Sequence, residues 1–162
     1  MHEIVIHRQC RALGVVAHAV ATLGLLSLLA SPCAAAPAVN KTADDVAING
    51  DDAVAYFVDG KAIKGMPDHQ VFWQDARWYF ASDEHRKLFE TDPSRYAPQF
   101  GGWCAGGMAQ GGYYTVDPEA WAIVDGRLYL YHNREVAEKW RRDQDNNIAD
   151  AEANWAERGK SP

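Results

Sequence analysis

Cysteine is scarce in this chain of 162 residues, which contains three. Two of them, Cys10 and Cys33, lie in an N-terminal segment that we expect to be removed as a signal peptide. Cys104 is then the single cysteine of the mature chain. Because one cysteine cannot form an internal disulfide, a fold stapled by disulfides is excluded.

Basic residues are also few. The sequence has 16 Lys and Arg against 22 Asp and Glu, which gives a formal net charge of −6. An acidic chain is repelled by a phosphate backbone, so nucleic acid is not expected as a partner. The acidic surface favours solubility and can attract cations, but it specifies no activity by itself.

Sequence motifs of the common enzyme classes are missing. The chain has no GxSxG, P-loop or dinucleotide-binding fingerprint, and beyond the leader it has no CxxC, HxxxH or HExxH spacing. Asp51, Asp52, Glu84 and Asp117 are candidate acids, but no pair of them has a spacing that demands catalysis. An enzyme is therefore the least supported class, and no local motif supports a zinc site.

The N-terminus has the layout of a secretory signal peptide. Arg8 and Arg11 precede a stretch, residues 12–30, that lacks Asp, Glu, Lys and Arg, and small residues follow it. Cleavage after Ala38 would make residues 1–38 the signal peptide and leave Val39 first; cleavage after Ala36 and an uncleaved anchor are the alternatives. We expect a periplasmic protein that has no membrane segment once the leader is removed.

The remaining chain has the length of one domain, and no internal repeat is visible. We divide it into a polar lead-in (residues 39–52), a domain (residues 53–158) and a short tail (residues 159–162). Turn signals predict three β-hairpins, over residues 55–64, 71–80 and 120–131, with turns at Asp59-Gly60, Gln74-Asp75 and Asp125-Gly126.

Helices are predicted between and after the hairpins. Ser82 is a good N-cap for a helix that stops before Pro93, and residues 93–96 form a further short turn. Residues 134–143 and 147–155 have apolar positions at helical spacing, with Trp140 on the first and Trp155 on the second. The sequence thus predicts a small single α+β domain of antiparallel β-hairpins packed with short helices.

Several separated motifs resemble one family. The segments DAVAYF, DPSRYAPQFGGWCA and DGRLYLY, followed by a helix that carries tryptophan, are similar to the exported bacterial YHS-domain proteins. YHS domains that accompany metal-transporting ATPases imply metal handling through cysteines. The corresponding positions in this chain are Ala55, Ala81 and His85, so a bound metal would need a different set of ligands.

Cys104 is the leading candidate ligand because it lies in the glycine-rich segment FGGWCAGGMAQGG. It is either a thiolate ligand or a small side chain packed in a tight corner. Met108 follows four residues later, and thiolate with thioether suits monovalent copper, although methionine also fills gaps in cores. His132 and His85 are the supporting candidates; His69 completes the histidines of the mature chain.

The sequence leaves three classes of function open. The leading expectation is a small periplasmic YHS-domain binding protein that handles a transition metal through Cys104, copper being favoured over zinc. The second is a thiol redox or haem-binding protein. The third is a non-catalytic module with a structural Cys104 that binds a periplasmic protein. Tyr113, Tyr114, Trp121, Tyr129 and Tyr131 could line a pocket for a planar ligand, but core packing explains them more simply.

Overall fold

The computed structural model describes residues 39–158. The predicted signal peptide, residues 1–38, and the predicted tail, residues 159–162, lie outside the described residues. Among the helices of the described part, none has both the length and the apolar character that crossing a bilayer requires.

The described chain is an α+β structure, as predicted. Two antiparallel hairpins form its strands, β1 with β2 and β3 with β4. The strands are β1 (Met66–Trp73), β2 (Ala76–Phe80), β3 (Asp117–Val124) and β4 (Arg127–Tyr131). The helices are α1 (Ala55–Val58), α2 (Asp83–Thr91), α3 (Pro93–Tyr96), α4 (Ala105–Ala109), α5 (Arg134–Arg141) and α6 (Gln144–Arg158), with short 3-10 turns at Ile48–Gly50 and Gln99–Gly102.

Two of the three predicted hairpins are confirmed, with their turns at the predicted dipeptides. In the first, Trp73 pairs with Ala76 across Gln74 and Asp75, both of which have left-handed φ angles. In the second, Asp125 and Gly126 take the same conformation between β3 and β4. Left-handed residues at both turn positions match the twist of the flanking strands, which is why these dipeptides close hairpins.

The third predicted hairpin, over residues 55–64, is wrong. Its first half is helix α1, because the side chain of Asp52 accepts the N–H groups of Val54 and Ala55 and so starts a helical turn. The turn signal at Asp59-Gly60 ends this helix: the N–H of Gly60 reaches back to the carbonyl of Ala55. Asp59-Gly60 therefore marks the C-terminus of a helix and not the turn of a hairpin.

The predicted helices are present, and side chains at their starts explain where they begin. Ser82 Oγ accepts the N–H of His85 at the start of α2, and Asn133 accepts the N–H of Val136 at the start of α5. Asp92 ends α2 and caps α3, where Pro93 takes the first helical position. The predicted helices over residues 134–143 and 147–155 correspond to α5 and α6. The start of α5 is as predicted, and the other three ends differ by two or three residues.

Two hydrophobic clusters form the core, and β4 contributes to both. Leu128 and Leu130 pack in the first cluster, whereas Tyr129 and Tyr131 pack in the second. Adjacent residues of a strand point to opposite faces, so both faces of β4 are buried.

The segment 39–52, the predicted polar lead-in, packs against the rest of the described chain. Val39, Ala47 and Ile48 belong to the first hydrophobic cluster, and Asp51 and Asp52 are buried. The backbone N–H of Ala47 bonds to the carbonyl of Arg77 in β2 at 2.8 Å. The packed structure therefore begins at the first described residues.

Candidate functional site

The glycine-rich segment is a tightly bent loop held by the N-terminal segment. Phe100, Gly101 and Gly102 have φ angles of 56°, 60° and 83°, a left-handed run that costs a non-glycine residue such as Phe100 conformational energy. Asn40 holds the loop: its backbone N–H bonds to the carbonyl of Gly101 at 2.8 Å, and its side-chain amide bonds to that of Gly102 at 3.0 Å. The bend leads directly into α4, whose N-cap residue is Cys104.

The sulfur of Cys104 accepts two backbone hydrogen bonds. The N–H of Gly107 lies 3.4 Å from Sγ, and the N–H of His132 lies 3.2 Å from it. The first bond comes from the turn that Cys104 caps, and the second comes from the residue that follows β4. The two donors thus fix the thiol between the glycine-rich segment and the second hairpin, and only 1% of Cys104 is exposed.

The imidazole of His132 is oriented by a backbone carbonyl. Its Nδ1 lies 3.0 Å from the carbonyl oxygen of Thr115. A carbonyl only accepts, so Nδ1 carries the proton and the neutral ring keeps Nε2 as its acceptor. His132 is otherwise exposed. One ring nitrogen is therefore available as a ligand to a metal.

Cys104 and His132 line the same cavity, whose volume is about 330 Å³. The other residues of its wall are Gly106, Gly107, Gln110, Tyr114 and Val136. None of these described lining residues is Asp, Glu, Lys or Arg. A side chain at position 107 would collide with the ring of Tyr114, which explains the glycine there.

Met108 does not line this cavity. Its side chain is fully buried in the second hydrophobic cluster, with Phe100, Tyr129 and Trp140 among its members. Cys104 and Met108 are four residues apart on one helical turn, as the sequence suggests. Met108 nevertheless fills space in the hydrophobic core. Of the candidate ligands, only Cys104 and His132 line the same cavity in the described part of the chain.

His85 lies at a different place, beside a buried carboxylate. Its Nδ1 is 2.7 Å from Oδ2 of Asp52, and its Nε2 is 3.6 Å from Oδ2 of Asp59. The side chain of Asp52 is completely buried, and that of His85 is 12% exposed. His85 is not part of the wall of the Cys104 cavity.

Asp52 ties two segments of the chain together. Its Oδ1 accepts the N–H groups of Val54 and Ala55, and its Oδ2 accepts the N–H of Ala81 at 2.8 Å in addition to the His85 ring. A buried carboxylate with four donors is fully satisfied. Positions 55, 81 and 85, which come from these two segments, therefore meet around one side chain.

Asp51, next to Asp52 in sequence, is a second buried acid. Its carboxylate lies 3.1 Å from Nζ of Lys64, and its side chain is 7% exposed. Burial raises the pKa of Asp51, and the ammonium of Lys64 opposes that rise only in part. The charge of Glu119 adds to the rise in this pKa. We treat the contact between Asp51 and Lys64 as a structural ion pair.

Within residues 39–158, no group of three or more His, Cys, Asp and Glu side chains is arranged to hold a metal ion. A tetrahedral site built from these residue types is thus not formed by the described part of the chain. What the described residues show is one cavity wall that includes both Cys104 and His132. Comparison with protein-family models, curated proteins and solved structures finds no match for this chain.

Backbone groups are the parts of this site that sequence reasoning missed. The N–H groups of Gly107 and His132 and the carbonyl of Thr115 position the thiol and the imidazole. Peptide groups have no residue-type signature, so no motif could have indicated them. The glycines around Cys104 were the one visible signal, because they permit the close approach that these bonds require.

Proposed function

We propose that this protein is a small exported binding protein of the YHS type that binds a soft transition-metal ion, with copper favoured, through Cys104 and His132. The observation that carries the proposal is the shared cavity: Cys104 and His132, which are distant in sequence, both line it, and the backbone N–H of His132 bonds to the sulfur of Cys104. Both side chains are held by backbone hydrogen bonds.

The donor set favours monovalent copper over zinc. Thiolate sulfur is a soft ligand that selects Cu(I), and imidazole nitrogen also suits copper. Structural zinc takes four protein ligands, and the described residues form no cluster of three. Hydrogen bonds from N–H groups to the sulfur are a regular feature of protein metal–thiolate sites, where they tune the metal. The two bonds to Cys104 Sγ fit that role.

The YHS resemblance aligns positions 55, 81 and 85 with cysteines of metal-handling relatives, and this chain carries no cysteine at any of them. Backbone N–H groups of Ala55 and Ala81 and the ring of His85 all bond to Asp52. In this chain the carboxylate occupies the centre of that cluster, which supports placing any metal at Cys104 instead.

A copper(I) titration tests the proposal. Purified mature protein would compete for Cu(I) with a chromophoric chelator under reducing, oxygen-free conditions. We expect about one ion per chain to bind in the wild type, no competition by Cys104→Ala, and weaker binding by His132→Ala. His69→Ala is the matched control, because His69 lies on β1 and outside the cavity wall.

Circular dichroism and tryptophan fluorescence would show that each variant is folded. Equal Cu(I) binding by the wild type and Cys104→Ala would overturn the assignment of the ligand. Absence of binding by a folded wild type would overturn the metal proposal itself. Fractionation of cells that express the full-length chain separately tests export to the periplasm.

One observation favours a second candidate, a non-catalytic interaction module with a structural thiol. Cys104 is almost fully buried, and both of its hydrogen bonds join segments of the fold. On this alternative, Cys104→Ala lowers the free energy of unfolding while metal binding is absent from both proteins. The titration and a urea denaturation of the same variant therefore separate the two candidates.

A further inference from the structure

The second hydrophobic cluster buries three polar groups that lack a partner. They are the phenol oxygens of Tyr129 and Tyr131 and the indole nitrogen of Trp140, none of which has a hydrogen-bond partner among the described residues. The two tyrosines are fully buried, and Trp140 is 2% exposed. Buried polar groups almost always have partners, so three exceptions in one cluster require an explanation.

The three side chains are neighbours. Tyr129 and Tyr131 are alternate residues of β4 and therefore point to the same face of the hairpin. Both rings contact the ring of Trp140 on α5, with centroid separations of 5.8 Å and 5.7 Å. The unpartnered atoms thus belong to one continuous aromatic contact between β4 and α5.

The hydrogen-bonding capacity of the two phenols and the indole indicates which ligand could bond to them. The indole N–H can only donate, whereas a phenol can donate and accept. Burial raises the pKa of both tyrosines, so the phenols stay neutral. A ligand that accepts from the indole and both donates to and accepts from the phenols matches this set. Water has that capacity, and buried water usually has about three such partners.

We propose that the contact between β4 and α5 holds internal water, hydrogen-bonded to Tyr129, Tyr131 and Trp140. The water is a structural ligand of the second cluster. A surface cavity of about 180 Å³ borders the same cluster at Ala120 and Ala137. This proposal is independent of metal binding at Cys104.

A crystal structure of the wild-type protein at high resolution tests the proposal. The expected result is an ordered water within hydrogen-bonding distance, about 2.7–3.2 Å, of at least two of the three atoms. A well-ordered cluster without that water would overturn the proposal. So would direct hydrogen bonds from these atoms to protein groups, or density for a larger ion.

Magnetic relaxation dispersion of water nuclei tests the same proposal in solution. The long-lived water signal of the wild type should fall in Tyr131→Phe, because the variant removes one of the anchoring phenols. Tyr113→Phe is the matched control, since Tyr113 is 40% exposed, and it should leave the signal unchanged. An equal signal in the folded Tyr131→Phe variant and the wild type would contradict the proposal. If Tyr131→Phe does not fold, Tyr129→Phe replaces it.

Discussion

Asp52→Ala is the substitution that we expect to destabilise the fold most clearly. The carboxylate has no exposed surface and accepts four hydrogen bonds. The donors are the N–H groups of Val54, Ala55 and Ala81, at 2.8, 3.2 and 2.8 Å, and the ring of His85, at 2.7 Å. Alanine leaves every one of these donors without its acceptor.

The loss in free energy of unfolding can be estimated from the individual hydrogen bonds of Asp52. Loss of the two bonds at the start of α1 resembles loss of a helix cap, about 1 kcal/mol. An N–H left unsatisfied at Ala81 and a ring nitrogen left unsatisfied at His85 each cost about 1–2 kcal/mol. The sum, about 4 kcal/mol, is comparable with the effect of breaking a buried ion pair and is a large fraction of the stability of a small domain.

Urea denaturation followed by tryptophan fluorescence measures this cost. Asp59→Ala is the matched control, because Asp59 approaches the same histidine only to 3.6 Å and its side chain is 33% exposed. We expect the control to lose less than about 1 kcal/mol. A loss below about 1 kcal/mol for Asp52→Ala, or equal losses for the two variants, would refute the reasoning.

Two further predictions concern the surroundings of Asp52. Gly65→Ala should lower the free energy of unfolding by about 2 kcal/mol, because the added Cβ meets the backbone of Tyr79, which cannot move aside; an unchanged thermal midpoint would contradict this. Asp51→Asn should change the pH dependence of stability. Because burial raises the folded-state pKa of Asp51 above its unfolded value, the charged form costs stability, and wild type should gain stability relative to the variant as pH falls from neutrality through that folded pKa. Parallel urea midpoints of both proteins across this range would rule it out.

Local turn and cap chemistry made most of the fold predictable. Gln74-Asp75 and Asp125-Gly126 lie between apolar runs of strand length, and Ser82 stands before a helical pattern, so each signal had one interpretation. Asp59-Gly60 had two, because a left-handed glycine ends helices as well as closing hairpins. The acceptor that decided between them is Asp52, which starts α1 through local bonds to Val54 and Ala55 and whose side chain also bonds to Ala81.

The candidate site was predictable only in part. Glycines around a lone cysteine indicated a constrained loop. His132 follows directly after the apolar run RLYLY, which the sequence predicts to be a strand. Whether His132 or His85 approaches Cys104 depends on how the second hairpin packs against α4, which no sequence spacing encodes. The burial of Met108 depends on the same packing, because its side chain completes a cluster formed by β4, α5 and α6.

Elemental analysis tests the central claim most directly. The full-length chain would be expressed for export, and the mature protein would be purified without chelators beside its Cys104→Ala variant. The proposal predicts about one copper ion per chain in the wild type and none in the folded variant. Absence of metal from both folded proteins, together with a silent copper(I) titration, would contradict it and favour the interaction module with a structural cysteine.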